Sequence, residues 1–83
     1  MNRGIETLAD NYDDWGSILK KSSKESAEYS KAMSGMQKAL SDVLDVQEDF
    51  ISDDFVEEHL EDIEKAATGN ADAIDRLKNA LSE

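Results

Sequence analysis

The chain has 83 residues, enough for one small domain, and it contains no cysteine and no proline. Disulfides and thiolate metal sites therefore cannot stabilise it, and it lacks the strongest helix breaker. Its formal net charge is −11. Because a surface this acidic repels phosphate backbones and anionic lipid headgroups, direct contact with nucleic acid or membrane is not expected.

The charge is unevenly distributed. Residues 1–40 hold six basic and six acidic side chains, whereas residues 41–83 hold three basic and fourteen acidic ones, which gives 3 − 14 = −11. The first twenty residues carry four carboxylates and no continuous apolar run, so no secretory signal peptide is predicted. No window approaches the roughly 18 apolar residues that a membrane span requires.

A stripe of apolar residues at alternating spacings of 3 and 4 predicts a first helix over about residues 5–21. The stripe consists of Ile5, Leu8, Tyr12, Trp15 and Leu19. Gly16 lies inside this helix and costs about 1 kcal/mol relative to alanine, so a thinned or bent helix is expected there. The aromatic residues of the stripe are expected in the core and not on a ligand-stacking platform.

A second helix is predicted over about residues 24–45. Ser22 and Glu25 have the spacing of a capping box at its start. The apolar stripe that follows consists of Tyr29, Met33, Met36, Leu40, Val43 and Leu44. Because only a few residues connect the two helices, they are predicted to form an antiparallel hairpin.

Residues 46–52 form a longer connection to a third predicted helix. Ser52 is in the position of its N-cap, and Ile51 with Val56 has the spacing of a hydrophobic staple. The buried stripe is predicted to consist of Phe55, Val56, Leu60, Ile63 and Ala67. Gly69 is expected to end this helix in the left-handed conformation.

Asn70 can cap a short fourth helix whose apolar stripe is Ile74, Leu77 and Leu81. The predicted fold is all-α, a small helical bundle of about four helices: an N-terminal antiparallel helical hairpin followed by two shorter helices. Residues 1–83 are expected to form a single helical domain. The a/d spacing also suits a coiled coil, but the predicted helix ends interrupt a long one.

No catalytic, cofactor-binding or metal-binding residue is predicted. The chain has one histidine, His59, at the edge of an apolar stripe, where an ordinary boundary position is the simpler interpretation. A calcium-binding loop of the EF-hand type would need a glycine at its sixth position, but Phe50 occupies that position in the sequence that begins at Asp45. An enzyme is therefore not expected.

The third predicted helix carries two rows of carboxylates at i, i+4 spacing, which are Asp53, Glu57 and Glu61 in one and Asp54, Glu58 and Asp62 in the other. Like charges at this spacing destabilise a helix by a few tenths of a kcal/mol per pair. Crowding is expected to raise the carboxyl pKa values, and reversing the charge of Glu57 and Glu58 is expected to stabilise the domain. The rows are either a solvated face or a contact surface for a basic partner.

Nearly the whole chain resembles a helical segment of the tail tape measure proteins of phages and prophages of Gram-positive hosts. The likeness rests on the order of several short stretches, LADNYDDW (8–15), ILKK (18–21), EYSKA (28–32), FISDDF (50–55), LEDI (60–63) and AATGNADAI (66–74). A stripe of Leu40, Val43 and Leu44 lies between the third and fourth of these. None of the stretches is a catalytic signature.

The resemblance implies a non-enzymatic structural module, excised from a much longer chain, that helps to determine tail length during virion assembly. Its implied partners are other segments of that chain or other tail proteins, and it implies synthesis in the host bacterial cytoplasm followed by residence in the virion tail. The alternative is a free-standing acidic protein-interaction domain, an adaptor or inhibitor that binds a basic partner. The sequence leaves the oligomeric state open.

Overall fold

The first two helices pack as a hairpin in the computed structural model, which describes residues 3–82. Helix α1 spans Arg3–Lys21 and helix α2 spans Ala27–Leu44, and the two make the most extensive contact in the fold. Gly4, near the start of α1, lies against the backbone of Ala39 and Val43 near the end of α2. The hairpin is therefore antiparallel, as predicted.

Two glycines allow α1 and α2 to approach closely. A Cβ atom added to Gly4 would lie 2.7 Å from the carbonyl oxygen of Ala39. A Cβ atom added to Gly35 would lie 2.6 Å from Cζ2 of Trp15, so the indole ring rests on the bare backbone of α2. Gly16, in contrast, lies within α1, which continues through it without interruption.

Helix α2 begins later than predicted. Its N-cap is Ser26, whose hydroxyl accepts a hydrogen bond of 3.1 Å from the backbone N–H of Tyr29. The capping box of Ser22 and Glu25 does not form, because residues 22–26 make the turn between the two helices. The predicted cap at Ser22 was wrong. Both Ser22 and Ser26 can cap a helix that follows them, but the turn between α1 and α2 uses the residues before Ser26, so Ser26 is the cap.

A short 3-10 helix, Glu48–Phe50, lies in the connection after α2, and three further helices follow. They are α3 (Asp53–Glu58), α4 (Leu60–Ala67) and α5 (Ala71–Ser82). The predicted caps are confirmed, since Ser52 accepts from the N–H of Phe55 and Asn70 accepts from the N–H of Ala73, each at 3.1 Å. Gly69 has the expected positive φ of 85°.

The third predicted helix is broken at His59 into α3 and α4. His59 has φ −115° and ψ 21°, outside the helical range, and its backbone N–H reaches the carbonyls of Phe55 and Val56. Its ring Nδ1 lies 2.8 Å from the same Phe55 carbonyl, and the two rings stack with centroids 4.4 Å apart. The break turns the chain so that α4 packs against α1 and α5.

The core lies between the hairpin and the three short helices. Its largest fully buried side chains come from every part of the chain, namely Leu8, Met36, Leu40, Ile51, Val56, Ile63 and Leu77. The radius of gyration is 11.6 Å, close to the roughly 11.8 Å expected for a folded chain of this length. The all-α bundle with an N-terminal hairpin is confirmed, with the predicted third helix divided in two.

Candidate interaction surfaces

The carboxylates concentrate in one part of the chain. Residues 39–64, the acidic segment, contain eleven Asp and Glu and no Lys or Arg. The segment runs from the C-terminal half of α2 through the 3-10 helix and α3 into α4. Most of its carboxylates are exposed, so they form the strongest charged feature of the described surface.

Glu57 is half-buried and joins α3 to the hairpin. Its Oε1 accepts a hydrogen bond of 2.6 Å from the Tyr29 hydroxyl, and its Oε2 lies 3.2 Å from Nζ of Lys24. The hydrogen bonds from Tyr29 and Lys24 lower the pKa of the Glu57 carboxyl below its usual range. The expectation of a raised pKa was wrong at this residue, since partners 28 and 33 positions away outweigh its neighbours on the helix.

Burial and the hydrogen bond to Glu57 raise the pKa of Tyr29 to about 12. Burial also raises the pKa of Tyr12, with a smaller contribution from the nearby carboxylates Glu64 and Asp13. Both tyrosines are buried, and the Tyr12 hydroxyl donates a hydrogen bond of 3.0 Å to the carbonyl of Leu60. Their hydroxyls therefore tie the hairpin to α3 and α4, and no aromatic platform for ligands is formed by Tyr12, Tyr29 and the half-buried Trp15.

Two other carboxylates of the predicted rows also have partners. The Gln37 side-chain amide donates to Oδ1 of Asp53 at 2.8 Å, and Arg76 pairs with Asp62 at 3.2 Å. The remaining members, Asp54, Glu58 and Glu61, are exposed and make no side-chain hydrogen bond or ion pair in the described part of the chain. Two carboxylates of the first row and one of the second thus have partners within the fold, and the other three are available to a partner protein.

The His59 side chain contacts the preceding turn of its own helix. It is half-buried, and its Nδ1 must carry a proton because the Phe55 carbonyl can only accept. No group of three or more His, Asp or Glu residues between 3 and 82 is arranged to hold a metal ion. Asp45, the first residue of the calcium loop that was considered, is instead the left-handed C-cap of α2, with φ 54°.

A second surface feature, the exposed side chain of Phe50 beside a groove, was not predicted from the sequence. Phe50 is 67% exposed, and it is the only large hydrophobic side chain that is exposed among residues 3–82. It borders a groove that is also lined by Leu44, Val46 and Leu81. One sequence signal could have revealed it, namely a phenylalanine that directly follows the acidic pair of residues 48–49 in a connection between helices.

None of the helices between residues 3 and 82 combines the length and the apolar character that a membrane crossing needs. Comparison of the chain with models of known protein families, with curated protein sequences and with solved structures finds no match.

Proposed function

We propose that the chain is a non-enzymatic structural module of a phage tail tape measure protein, which contributes to tail length determination and tail assembly. The proposal rests on the order of several short stretches, from residue 8 to residue 74, that resembles a helical segment of that family. The all-α bundle supports it, because tape measure proteins resemble this chain in being largely helical. The partners proposed are other segments of the same long chain or other tail proteins.

The proposed module works by contact. Its carboxylates project from short helices that pack across a hairpin, so they can meet basic surfaces without reorganising the core. Direct binding of nucleic acid or membrane is not part of the proposal, because the net charge of −11 opposes both. The proposed locations are the host bacterial cytoplasm during assembly and the virion tail afterwards.

The reading frame gives the first test. The proposal expects these residues within a frame hundreds of codons longer, among tail genes, whereas a stop codon directly after residue 83 would falsify it. An in-frame deletion of residues 3–82 in the parent gene then tests the ruler function by electron microscopy of tails.

The extent of tail shortening reports the state of the segment in the tail. A continuous helix of 80 residues spans about 120 Å, whereas the folded bundle is 31 Å in its longest dimension. Shortening by about 120 Å means that the bundle opens into a helix, and shortening by about 30 Å or less means that it stays folded. Tails of unchanged length would contradict a contribution to length, provided that a matched deletion elsewhere in the same protein shortens them.

A second candidate, the free-standing acidic interaction domain, is favoured by one specific observation. The acidic segment contains no cation to neutralise it and adjoins the exposed Phe50, a combination suited to a basic partner. A complete reading frame of 83 codons outside any tail gene cluster would favour this candidate over the tape measure module.

A further inference from the structure

The groove beside Phe50 has the composition of a small docking site. Its apolar lining is formed by Phe50 on the 3-10 helix, Leu81 on α5, and Leu44 and Val46 at the end of α2, and polar side chains complete it. Its volume is about 470 Å³, within the roughly 300–1,000 Å³ range of sites that hold a ligand or a few side chains. Three separate elements therefore converge on one apolar depression.

Phe50 is exposed although the residue next to it is buried. Ile51, the next residue, is buried to 2% exposure, and the 3-10 helix between Glu48 and Phe50 holds the two side chains in different environments. An aromatic ring is among the side chains that contribute most to binding when a partner covers them. Here the ring faces solvent beside other apolar side chains. A partner that covers it therefore removes apolar surface from water on the groove and on the partner itself.

The charge around the groove selects its occupant. Asp45 lines it, Glu48 and Asp49 directly precede Phe50, and all three carboxylates are exposed. Lys78 is the one cation among the lining residues. A second copy of the chain is a poor occupant because each copy carries a net charge of −11, and anionic lipids or nucleic acids are repelled in the same way.

We propose that this groove docks a basic amphipathic segment of another protein, which inserts a large apolar side chain against Phe50 and places Lys or Arg beside Asp45, Glu48 and Asp49. The inference holds whether or not the chain belongs to a tape measure protein. Apolar anchors in a groove supply most of the affinity in this mode of recognition, and the surrounding charges set the orientation and accelerate association.

The probe is a fluorescently labelled synthetic peptide of about 18 residues, with Leu at i, i+3, i+4 and i+7 spacing and Lys elsewhere. A second peptide has the same composition in scrambled order. Binding is measured by fluorescence anisotropy at about 0.15 M NaCl, where only close charges still attract strongly. The parent chain is expected to bind the amphipathic peptide about ten-fold more tightly than the scrambled one.

Phe50→Ala is expected to weaken binding of the amphipathic peptide about ten-fold and to leave the scrambled peptide unaffected. Since Phe50 is exposed, the circular dichroism spectrum of this variant should match that of the parent. As an independent readout, the backbone amide resonances of Phe50 and Leu81 should shift when the amphipathic peptide is added. Equal affinities of parent and Phe50→Ala, or equal affinities for the two peptides, overturn the proposal.

Matched charge variants distinguish binding at the groove from diffuse electrostatic attraction to the whole acidic surface. Asp45→Asn with Asp49→Asn is expected to weaken binding several-fold more than Glu58→Gln with Glu61→Gln, although each pair removes two charges. Equal losses mean diffuse attraction and overturn the proposed site. Concentration-dependent dimers in sedimentation that Phe50→Ala abolishes assign the groove to a second copy, which also overturns it.

Discussion

At the residue scale, the same substitution at two glycines is expected to have opposite effects. Gly35→Ala places a Cβ atom 2.6 Å from the Trp15 ring, which must move, so we expect it to destabilise the fold by about 1–3 kcal/mol. The atom nearest to a Cβ added at Gly16 is in the Tyr12 ring, at an ordinary contact distance of 3.4 Å, so Gly16→Ala should stabilise by up to about 1 kcal/mol through helix propensity. Urea denaturation measures both values.

The contact with Trp15 is the proposed cause of the Gly35 effect. In a Trp15→Ala background, Gly35→Ala should therefore lose its cost and become neutral or stabilising. If the cost persists in that background, backbone crowding between the helices and not the indole ring is responsible.

Tyr29 offers a second test at this scale. Tyr29→Phe removes the hydroxyl that donates to Glu57 and should lower the free energy of unfolding by about 1–2 kcal/mol at pH 7. The pKa of Tyr29 is raised from 10.0 to about 12 on folding, so its contribution is complete below pH 10 and is lost as the pH rises towards 12. The pKa of Glu57 is lowered, so its contribution is present above its ordinary value of 4.5 and is lost as the pH falls through the lowered value.

The difference in stability between parent and Tyr29→Phe should consequently shrink at both ends of the pH scale. Tyr12→Phe is the matched control, because the Tyr12 hydroxyl donates to the backbone carbonyl of Leu60, which has no charge to lose in acid. A Tyr29→Phe effect that is unchanged in acid would contradict a role for the ionised Glu57 carboxylate.

At the element scale, the helix caps distinguish two serines that look equivalent in the sequence. Ser26→Ala removes the hydroxyl that accepts from the Tyr29 N–H and should cost about 1 kcal/mol. Ser22→Ala should change stability by less than about 0.5 kcal/mol, because the Ser22 hydroxyl caps nothing in the described structure. Thermal unfolding of the two variants compares them directly, and the reverse order would restore the capping box at residue 22.

Charge reversal along α3 makes a similar comparison between neighbours. Glu58→Lys should stabilise the domain by a few tenths of a kcal/mol, because it relieves repulsion from Asp54 and places a cation near the helix C-terminus. Glu57→Lys should destabilise it, because the new cation faces Lys24 and loses the bond from Tyr29. Chemical denaturation of both variants tests this, and stabilisation by both would mean that the bridge from Glu57 to the hairpin is weak.

The helices themselves were predictable because the signals that form them are local. The apolar stripes, the caps Ser52 and Asn70, and Gly69 each act within about four residues. The break at His59 was not predictable from the acidic stretch around it. The residues around the break make contacts with distant parts of the chain, such as the hydrogen bond from the Tyr12 hydroxyl to the Leu60 carbonyl, 48 positions away.

At the scale of the whole molecule, the sequence shows that residues 41–83 are acidic. It does not predict which of their carboxylates have partners within the fold and which are free to contact another protein. That division depends on Tyr29, Lys24 and Gln37, which reach across from the hairpin, and on Arg76 of α5. The groove beside Phe50 was also not predicted, because Leu81, which lines its far side, lies 31 positions after Phe50. Local patterns thus determine the elements, and packing determines the surface that a partner can meet.

The net charge of −11 predicts how the stability of the fold depends on salt concentration. Within the described structure, the ion pairs in direct contact are those of Lys24 with Glu57 and Arg76 with Asp62, and both are partly exposed. Monovalent salt screens the many repulsions more than these few attractions, so raising NaCl from about 0.1 M to 1 M should stabilise the domain. A gain of about 0.5–1 kcal/mol corresponds to a rise of a few degrees in Tm, measured by circular dichroism. The variant with both Glu58→Lys and Glu61→Lys has a net charge of −11 + 4 = −7, and its gain should be smaller. If salt instead lowers Tm, the two ion pairs outweigh the repulsion, and the acidic segment binds the hairpin more strongly than it repels itself.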